Sequence, residues 1–221
     1  MTRITDLIND ENRRWWTLGA MCLALFMVML DNTVVNVALP SIQRDLDTSI
    51  SGLEWIVNGY TLSFAVLLAV GGRLGDIFGR RRMFIFGVIV FTLASTTGGF
   101  APDNFSLVAS RVLQGVGAAF MMPGTLSIIT NAFPPAERGK AIGTWAGVSA
   151  LALAIGPVLG GFLTEQVSWR AIFFINLPFG TVAFPATLAF VPDSLPRPPR
   201  RSDLFGSAML SLATGELQLM T

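Results

Sequence analysis

A stretch rich in glycine and arginine, Gly72-Arg73-Leu74-Gly75-Asp76-Ile77-Phe78-Gly79-Arg80-Arg81-Arg82, separates two long uncharged segments of the chain. Its glycines permit a tight turn, and Asp76 can accept hydrogen bonds at a helix N-terminus or pair with an arginine. A cytoplasmic loop that follows only the positive-inside rule would explain the arginines, but not the acid between spaced glycines. The stretch therefore predicts a loop with a specific role between two membrane helices.

The overall composition is typical of a membrane protein. Of the 221 residues, 52% are hydrophobic and 13% are charged, whereas a soluble domain carries about 25% charged residues. The net charge of +1 gives no electrostatic basis for binding nucleic acid. The chain has no histidine and one cysteine, Cys22, which excludes Ser/His/Asp and Cys/His catalysis and histidine-ligated zinc. We therefore expect no enzyme, no metal site and no other cofactor.

Six long windows without charged residues are candidates for membrane helices. They are 16 to 25 residues long, close to the roughly 20 residues that a helix needs to cross the hydrocarbon core. The first helix must continue through Asp31 to span the membrane, and the fourth must begin near Asn104, before Arg111. Each of these two helices thus contains one charge at membrane depth. The windows cover residues 15–30, 55–72, 83–102, 112–136, 141–164 and 171–192.

The positions of the basic residues predict the orientation. Twelve of the 15 Lys and Arg residues lie in the N-terminal tail or after helices 2, 4 and 6, and basic residues in short loops stay on the cytoplasmic side. We predict a cytoplasmic tail over residues 1–14, a six-helix bundle over 15–192 and a cytoplasmic loop over 193–203. A cleaved signal peptide is the alternative for the first apolar run, but the later spans favour an uncleaved helix. The predicted fold is an all-α integral protein of the cytoplasmic membrane.

Residues 204–221 begin another apolar run that stops before it is long enough to cross a membrane. We interpret this run as the start of a seventh helix, and the chain as the N-terminal half of a larger transporter. A chain that acts alone would need a partner to cover its exposed face. Glu216 in this run is either a second intramembrane acid or a sign that the run does not insert.

The loop after helix 2 resembles the signature loop of the major facilitator superfamily, with Ile77 in place of the usual basic residue. The resemblance implies a bundle of two three-helix inverted repeats that transports its substrate by alternating access. In that family the loop acts as a conformational latch. The resemblance therefore implies that Asp76 and Arg80, with Gly72 and Gly79, form a gating motif.

Helix 1 ends Leu30-Asp31-Asn32-Thr33-Val34-Val35-Asn36-Val37-Ala38-Leu39-Pro40. A carboxylate within a membrane helix indicates a functional site, and this segment resembles the helix 1 signature of drug:proton antiporters with fourteen helices. The resemblance implies that Asp31 takes part in proton coupling or substrate binding, with Asn32 beside it. The alternative is a solvated cap at a helix end. A helical rise of 1.5 Å per residue places Asp31 about 13 Å from Pro40, which argues against the cap.

Helix 4 contains Leu107-Val108-Ala109-Ser110-Arg111-Val112-Leu113-Gln114-Gly115-Val116-Gly117-Ala118-Ala119. This stretch resembles a family pattern whose arginine is linked to proton transfer, so Arg111 and Gln114 join the candidate coupling site. Arg111 and Asp31 lie at similar depths in the first helix of each three-helix half, and inverted repeats place such helices around one central site. We hypothesise that Arg111 controls the protonation of Asp31. The alternative is an arginine that extends to the outer membrane interface.

Helix 5 carries glycines at four-residue spacing, which gives faces that another helix can approach closely. Ordinary packing of small residues would explain this spacing. The wider pattern resembles an antiporter signature that marks exporters, with Ala152 in place of one glycine. The residues that match this signature are Gly143, Gly156, Pro157, Gly160 and Gly161.

Polar residues in two other helices receive more modest assignments. Asn58 in helix 2 occupies a position at which some multidrug relatives carry an acid, so a purely cationic substrate is less favoured. Asn176 and Pro178 in helix 6 match the family and are assigned to packing.

The combined motifs predict a proton-coupled antiporter that exports hydrophobic drugs, antibiotics or related metabolites. Its expected partners are a small hydrophobic substrate, protons, the lipid bilayer and the missing C-terminal half or a partner chain. An inactive or accessory half-module is the alternative function. An uptake symporter is a third possibility, which the helix 5 pattern disfavours.

Overall fold

The computed structural model describes residues 10–193. In this part of the chain the regular structure is entirely α-helical, as the sequence predicts. The helices are α1 (Asp10–Leu46), α2 (Ile50–Phe78), α3 (Arg80–Gly99), α4 (Asn104–Ala132), α5 (Pro135–Gln166), α6 (Ala171–Phe174) and α7 (Asn176–Phe190).

Six helical spans within the described residues are long and apolar enough to cross a membrane. The helices α6 and α7 act as one span, Ala171–Phe190, which is interrupted at Ile175. The predicted six-helix membrane bundle is therefore confirmed. The expected cytoplasmic loop lies outside the described residues except for Asp193, and the expected seventh helix and Glu216 lie outside them entirely.

Two predicted helix extensions are present in the structure. The helix α1 continues through Asp31 to Leu46, and α4 begins at Asn104, before Arg111. Asp103 starts α4 with a capping box in which its carboxylate accepts a hydrogen bond from the Ser106 N–H at 2.8 Å. This bond lowers the pKa of Asp103 because it favours the ionised carboxylate.

The turn between α2 and α3 is much shorter than the sequence indicates. The predicted loop over residues 72–82 is wrong, because α2 extends to Phe78 and α3 begins at Arg80. Gly79 alone makes the turn, with φ of 96° and ψ of 130°. A residue with a side chain would be strained at this positive φ. Glycine at position 79 therefore allows the chain to reverse direction at a single residue. The charged residues of the stretch thus lie on helix ends that project beyond the uncharged windows.

The helices α1 and α4 form the centre of the bundle. Of the most apolar window in each helix, 67% is buried in α1 and 61% in α4, whereas α2 and α5 each bury only 17%. The helix α1 packs mainly against α5 and α7, while α4 packs mainly against α2 and α3. This matched set of neighbours is the arrangement that two three-helix repeats predict.

Small residues on α4 allow two neighbours to approach it closely. A Cβ atom at Gly117 would lie 2.6 Å from the Phe91 nitrogen of α3, and one at Gly115 would overlap the Tyr60 carbonyl oxygen of α2. Only glycine permits such contacts between helix backbones. The close approach of α2 brings Tyr60 and Ile56 next to the charged side chain of Arg111.

Candidate functional site

A network of five buried polar side chains lies at the centre of the bundle. Its members come from four spans, and each exposes 3% of its surface or less. In a membrane protein such residues are rare and face the interior of the bundle. We refer to them as the buried polar network: Asp31, Ser95, Arg111, Gln114 and Asn176.

Three side chains donate hydrogen bonds to the Asp31 carboxylate. Arg111 Nη1 donates to Asp31 Oδ2 at 2.6 Å. Gln114 Nε2 and Asn176 Nδ2 donate to Asp31 Oδ1 at 3.0 Å and 2.8 Å. An ionised carboxylate only accepts hydrogen bonds, so all three contacts match its acceptor oxygens. The position of Asp31 in mid-helix, with α1 continuing to Leu46, contradicts the helix-end cap.

Arg111 points into the protein and has partners on three helices. Besides Asp31 on α1, its guanidinium donates to Gln114 Oε1 at 2.9 Å and to the Ile56 carbonyl of α2 at 3.2 Å. Its Cζ lies 4.2 Å from the centre of the Tyr60 ring, which is a cation–π distance. These contacts contradict the alternative in which Arg111 extends to the membrane interface.

Sequence reasoning located part of this network. Asp31, Arg111 and Gln114 come together, whereas Asn58 is exposed on α2 and lies outside the network. Asn32 also lies outside the network, and its carbonyl accepts a hydrogen bond from Asn36 one turn later.

Three residues of this region were not predicted. The assignment of Asn176 to packing is wrong, because its side chain contacts both Asp31 and Ser95. An asparagine within an apolar span was the available signal, and Tyr60, the only tyrosine of the chain, gave a weaker one. Ser95 gave none, because other hydroxyl residues also occur along α3 and α4.

The glycine motif of α5 packs against α1 next to this network. A Cβ atom at Gly156 would overlap the Thr33 side chain, and one at Gly160 would lie 3.0 Å from the Val34 Cα. Gly161 and Gly143 have open space where a Cβ would lie, and Pro157 is exposed. The expected close helix contact therefore exists for Gly156 and Gly160 but not for the Gly143 face among the described residues.

The candidate gate contains one ion pair across the α2–α3 turn. Arg80 Nη2 donates to Asp76 Oδ1 at 2.5 Å, and both side chains are partly exposed. Gly72 lies one turn before Asp76 and faces the Pro123 side chain of α4. The turn residue Gly79 and this ion pair thus join the adjacent ends of α2 and α3.

Comparison with known protein families supports the same architecture. The family model for the Major Facilitator Superfamily matches residues 21–217, which is most of the chain. The chain belongs to the major facilitator superfamily. This result confirms the family predicted from the four sequence motifs. Membership in a transporter family, with six membrane-spanning helices, indicates a multi-pass membrane transporter rather than an enzyme.

Three relatives show how much of a whole protein the chain represents. The tetracenomycin C resistance and export protein of Streptomyces glaucescens is 42% identical over 91% of this chain and 38% of its own length. The puromycin resistance protein pur8 of Streptomyces alboniger is 48% identical over 78% of this chain and 35% of its own length. The cephamycin export protein CmcT of Amycolatopsis lactamdurans is 42% identical over 90% of this chain and 41% of its own length. The chain thus spans well under half of these relatives.

Proposed function

We propose that the chain is the proton-coupling half of an antiporter that exports hydrophobic drugs or antibiotics across the cytoplasmic membrane. The buried ion pair between Asp31 and Arg111 carries this proposal. The names of the relatives, which are resistance or export proteins for antibiotics, support export as the direction of transport. The cytoplasmic N-terminus and the relationship to fourteen-helix antiporters belong to the same proposal.

The chemistry of the pair provides a basis for proton coupling. Asp31 is the only acidic side chain buried within the described membrane spans, and Arg111 donates a hydrogen bond to it at 2.6 Å. A proton that arrives from outside would neutralise Asp31 and end the ion pair. Arg111 would then keep Gln114, the Ile56 carbonyl and the Tyr60 ring as partners. The arginine therefore keeps uncharged partners in both protonation states of Asp31, so that the acid can bind and release a proton repeatedly.

The proposed transport cycle couples this proton to the substrate by alternating access. Substrate bound from the cytoplasm and a proton entering from outside favour different states of Asp31, so the proton gradient drives export. The latch of Asp76 and Arg80 would stabilise one of these states. The Gly156–Thr33 contact joins α5 to the part of α1 that carries Asp31, so movement of α5 would change the surroundings of the acid.

We expect drug export to require further helices besides the six spans of this chain. The chain corresponds to 38% of the tetracenomycin relative, and the sparsely buried helices α2 and α5 leave apolar surface on the bundle. We propose that the remaining half, on the same chain or on a partner, completes the substrate cavity. In this reading the half-module is a part of the exporter rather than a separate function.

Everted membrane vesicles test the proposed function. Cells would express the protein from its natural reading frame, and respiration would acidify the vesicle lumen. Addition of puromycin or tetracenomycin C, the compounds named in two relatives, should release protons from the lumen and restore the fluorescence of a pH-sensitive dye. Asp31→Asn should abolish this response, whereas Glu165→Gln, at the exposed end of α5, should retain it. Drug-dependent proton movement that persists in the Asp31→Asn protein would overturn the proposal.

A further inference from the structure

Asn176 occupies a special position in the buried polar network. It begins α7 directly after Ile175, where the sixth span is interrupted. Its Nδ2 donates to Asp31 Oδ1 at 2.8 Å and to Ser95 Oγ at 3.0 Å. Ser95 Oγ in turn donates to the Phe173 carbonyl at 2.8 Å, on the other side of the interruption. A chain of hydrogen bonds therefore connects the acid to the helix break.

The amide oxygen of Asn176 has no hydrogen-bond donor among the described residues. Asn176 Oδ1 is buried and accepts no hydrogen bond from any residue between 10 and 193. A buried acceptor without a partner is costly, and such groups within a native network call for an explanation. Packing alone does not supply one, because an apolar side chain of similar size would fill the space without leaving an acceptor unused.

The protonated form of Asp31 explains the spare acceptor. An ionised carboxylate needs a donor, so Asn176 presents its NH₂ group to it. A protonated carboxyl group has an O–H donor of its own and needs an acceptor. A half-turn of the Asn176 amide about its Cβ–Cγ bond exchanges the positions of Nδ2 and Oδ1. The same side chain can therefore hydrogen-bond both forms of the acid.

We propose that Asn176 is a positioning residue whose side-chain amide takes one orientation when Asp31 is ionised and the opposite orientation when Asp31 is protonated. It donates to the ionised carboxylate and, when a proton binds Asp31 Oδ1, turns its amide so that Oδ1 accepts the new O–H. The proton leaves a hydronium ion that enters from outside, and the O–H bond on Asp31 is the only covalent bond that forms. The turn also moves Nδ2 away from Ser95, so the arrival of the proton breaks one hydrogen bond beside the interruption of the sixth span.

Few charged or titratable groups besides Arg111 lie near Asp31 and could affect its protonation. Arg111 of α4 contacts the acid directly, and Tyr60 of α2 lies beside that arginine. The membrane-depth segments of α3, α5 and α7 contribute no titratable side chain, because residues 83–102, 141–164 and 171–192 are uncharged. A change at Asn176 should therefore be visible in the titration of the acid.

The inference rests on the proposed role of Asp31 as proton carrier, and infrared difference spectroscopy tests it without any substrate. The purified full-length protein is titrated, and the carbonyl band of protonated Asp31 is identified by its absence in Asp31→Asn. Asn176→Ala should raise the pH of half-protonation by about one unit, because the lost donor served the charged form more strongly than the neutral one. The carbonyl band should also shift to higher frequency, because the protonated acid loses its acceptor.

Three further variants separate this role from a structural one. Asn176→Ser keeps a group that both donates and accepts, so its titration should lie between wild type and Asn176→Ala. Ser95→Ala leaves the donor to Asp31 in place and should change the midpoint less. Thr187→Val is the matched control, because Thr187 is buried on the same helix but donates only to Ala183 of its own helix, at 2.7 Å. Its titration should match wild type.

The outcomes distinguish this inference from the proposed function. An unchanged midpoint in both Asn176 variants would overturn the inference and leave proton-coupled export intact. A shifted midpoint with an unchanged carbonyl band would overturn the turn of the amide. Conversely, failure of the vesicle assay would count against proton-coupled export. The expected titration shifts would still support the turn of the Asn176 amide on protonation of Asp31.

Discussion

Gly156 on α5 lies directly against Thr33 on α1, so that a Cβ atom added at position 156 would overlap the threonine side chain. Thr33 follows Asp31 by two positions, and its hydroxyl donates to the Leu30 carbonyl at 2.9 Å. The glycine motif that marks exporters by resemblance is therefore also the place where α5 touches the acid-bearing segment of α1.

This contact predicts opposite effects for two neighbouring glycines. Gly156→Ala should lower the thermal stability of the purified protein and reduce export, because α5 must move away from α1. Gly161→Ala should be neutral or stabilising by about 0.5–1 kcal/mol, since open space surrounds that position and alanine favours the helix. Thermal unfolding in the same detergent measures both. Equal destabilisation by the two variants would contradict the close contact.

The ion pair of Asp31 and Arg111 predicts a strong dependence of each residue on the other. Asp31→Asn removes the counter-charge of the buried Arg111, which keeps only uncharged partners, and should destabilise the protein by about 3–5 kcal/mol. Combining Asp31→Asn with Arg111→Gln removes both charges and should recover much of that loss. Denaturant unfolding of the two single variants and the double variant gives the coupling energy. Additive losses of stability in the double variant would show that the two side chains do not depend on each other. In the vesicle assay the double variant should still fail to couple protons, because it lacks Asp31.

The sequence was sufficient to predict the six spans and the placement of Asp31 and Arg111 around one central site. Uncharged windows identify spans because lipid offers no partner for exposed charges. The depths of Asp31 and Arg111 follow from helical rise alone, and inverted repeats bring their helices together. The ends of helices are harder to predict, because outside the hydrocarbon a helix tolerates charged residues. For this reason α2 continues to Phe78, past the end of its uncharged window.

The missed parts of the site depend on tertiary packing. The ring of Tyr60 has an apolar face, and its contact with Arg111 arises only where α2 crosses α4. Asn176 meets Asp31 only where the sixth span packs against α1. Glycine spacing likewise predicts a face that permits close contact but not whether a helix covers it, which is why Gly156 and Gly143 behave differently.

The turn at Gly79 predicts a conformational cost for substitution within the glycine-rich stretch over residues 72–82. Gly79→Ala places a side chain at a φ of 96° and should cost about 1–3 kcal/mol of stability. Gly72→Ala is the control from the same motif, because a Cβ there would meet only Pro123 at an ordinary distance of 3.5 Å. Thermal unfolding of both proteins makes the comparison. A fully stable Gly79→Ala protein would show that the turn can adopt another backbone conformation.

The contact between Tyr60 and Arg111 predicts that the aromatic ring stabilises the buried guanidinium. Tyr60→Phe keeps a ring beneath the guanidinium, 4.2 Å from the Arg111 Cζ, and should retain stability and proton coupling. Tyr60→Leu keeps an apolar side chain but removes the ring quadrupole, and should cost about 2 kcal/mol in this desolvated site. The loss should fall when Arg111→Gln is already present, because the cation that the ring stabilises is then absent. Unfolding of the four proteins measures this dependence, and an equal cost of Tyr60→Leu with and without Arg111 would assign the ring to packing alone.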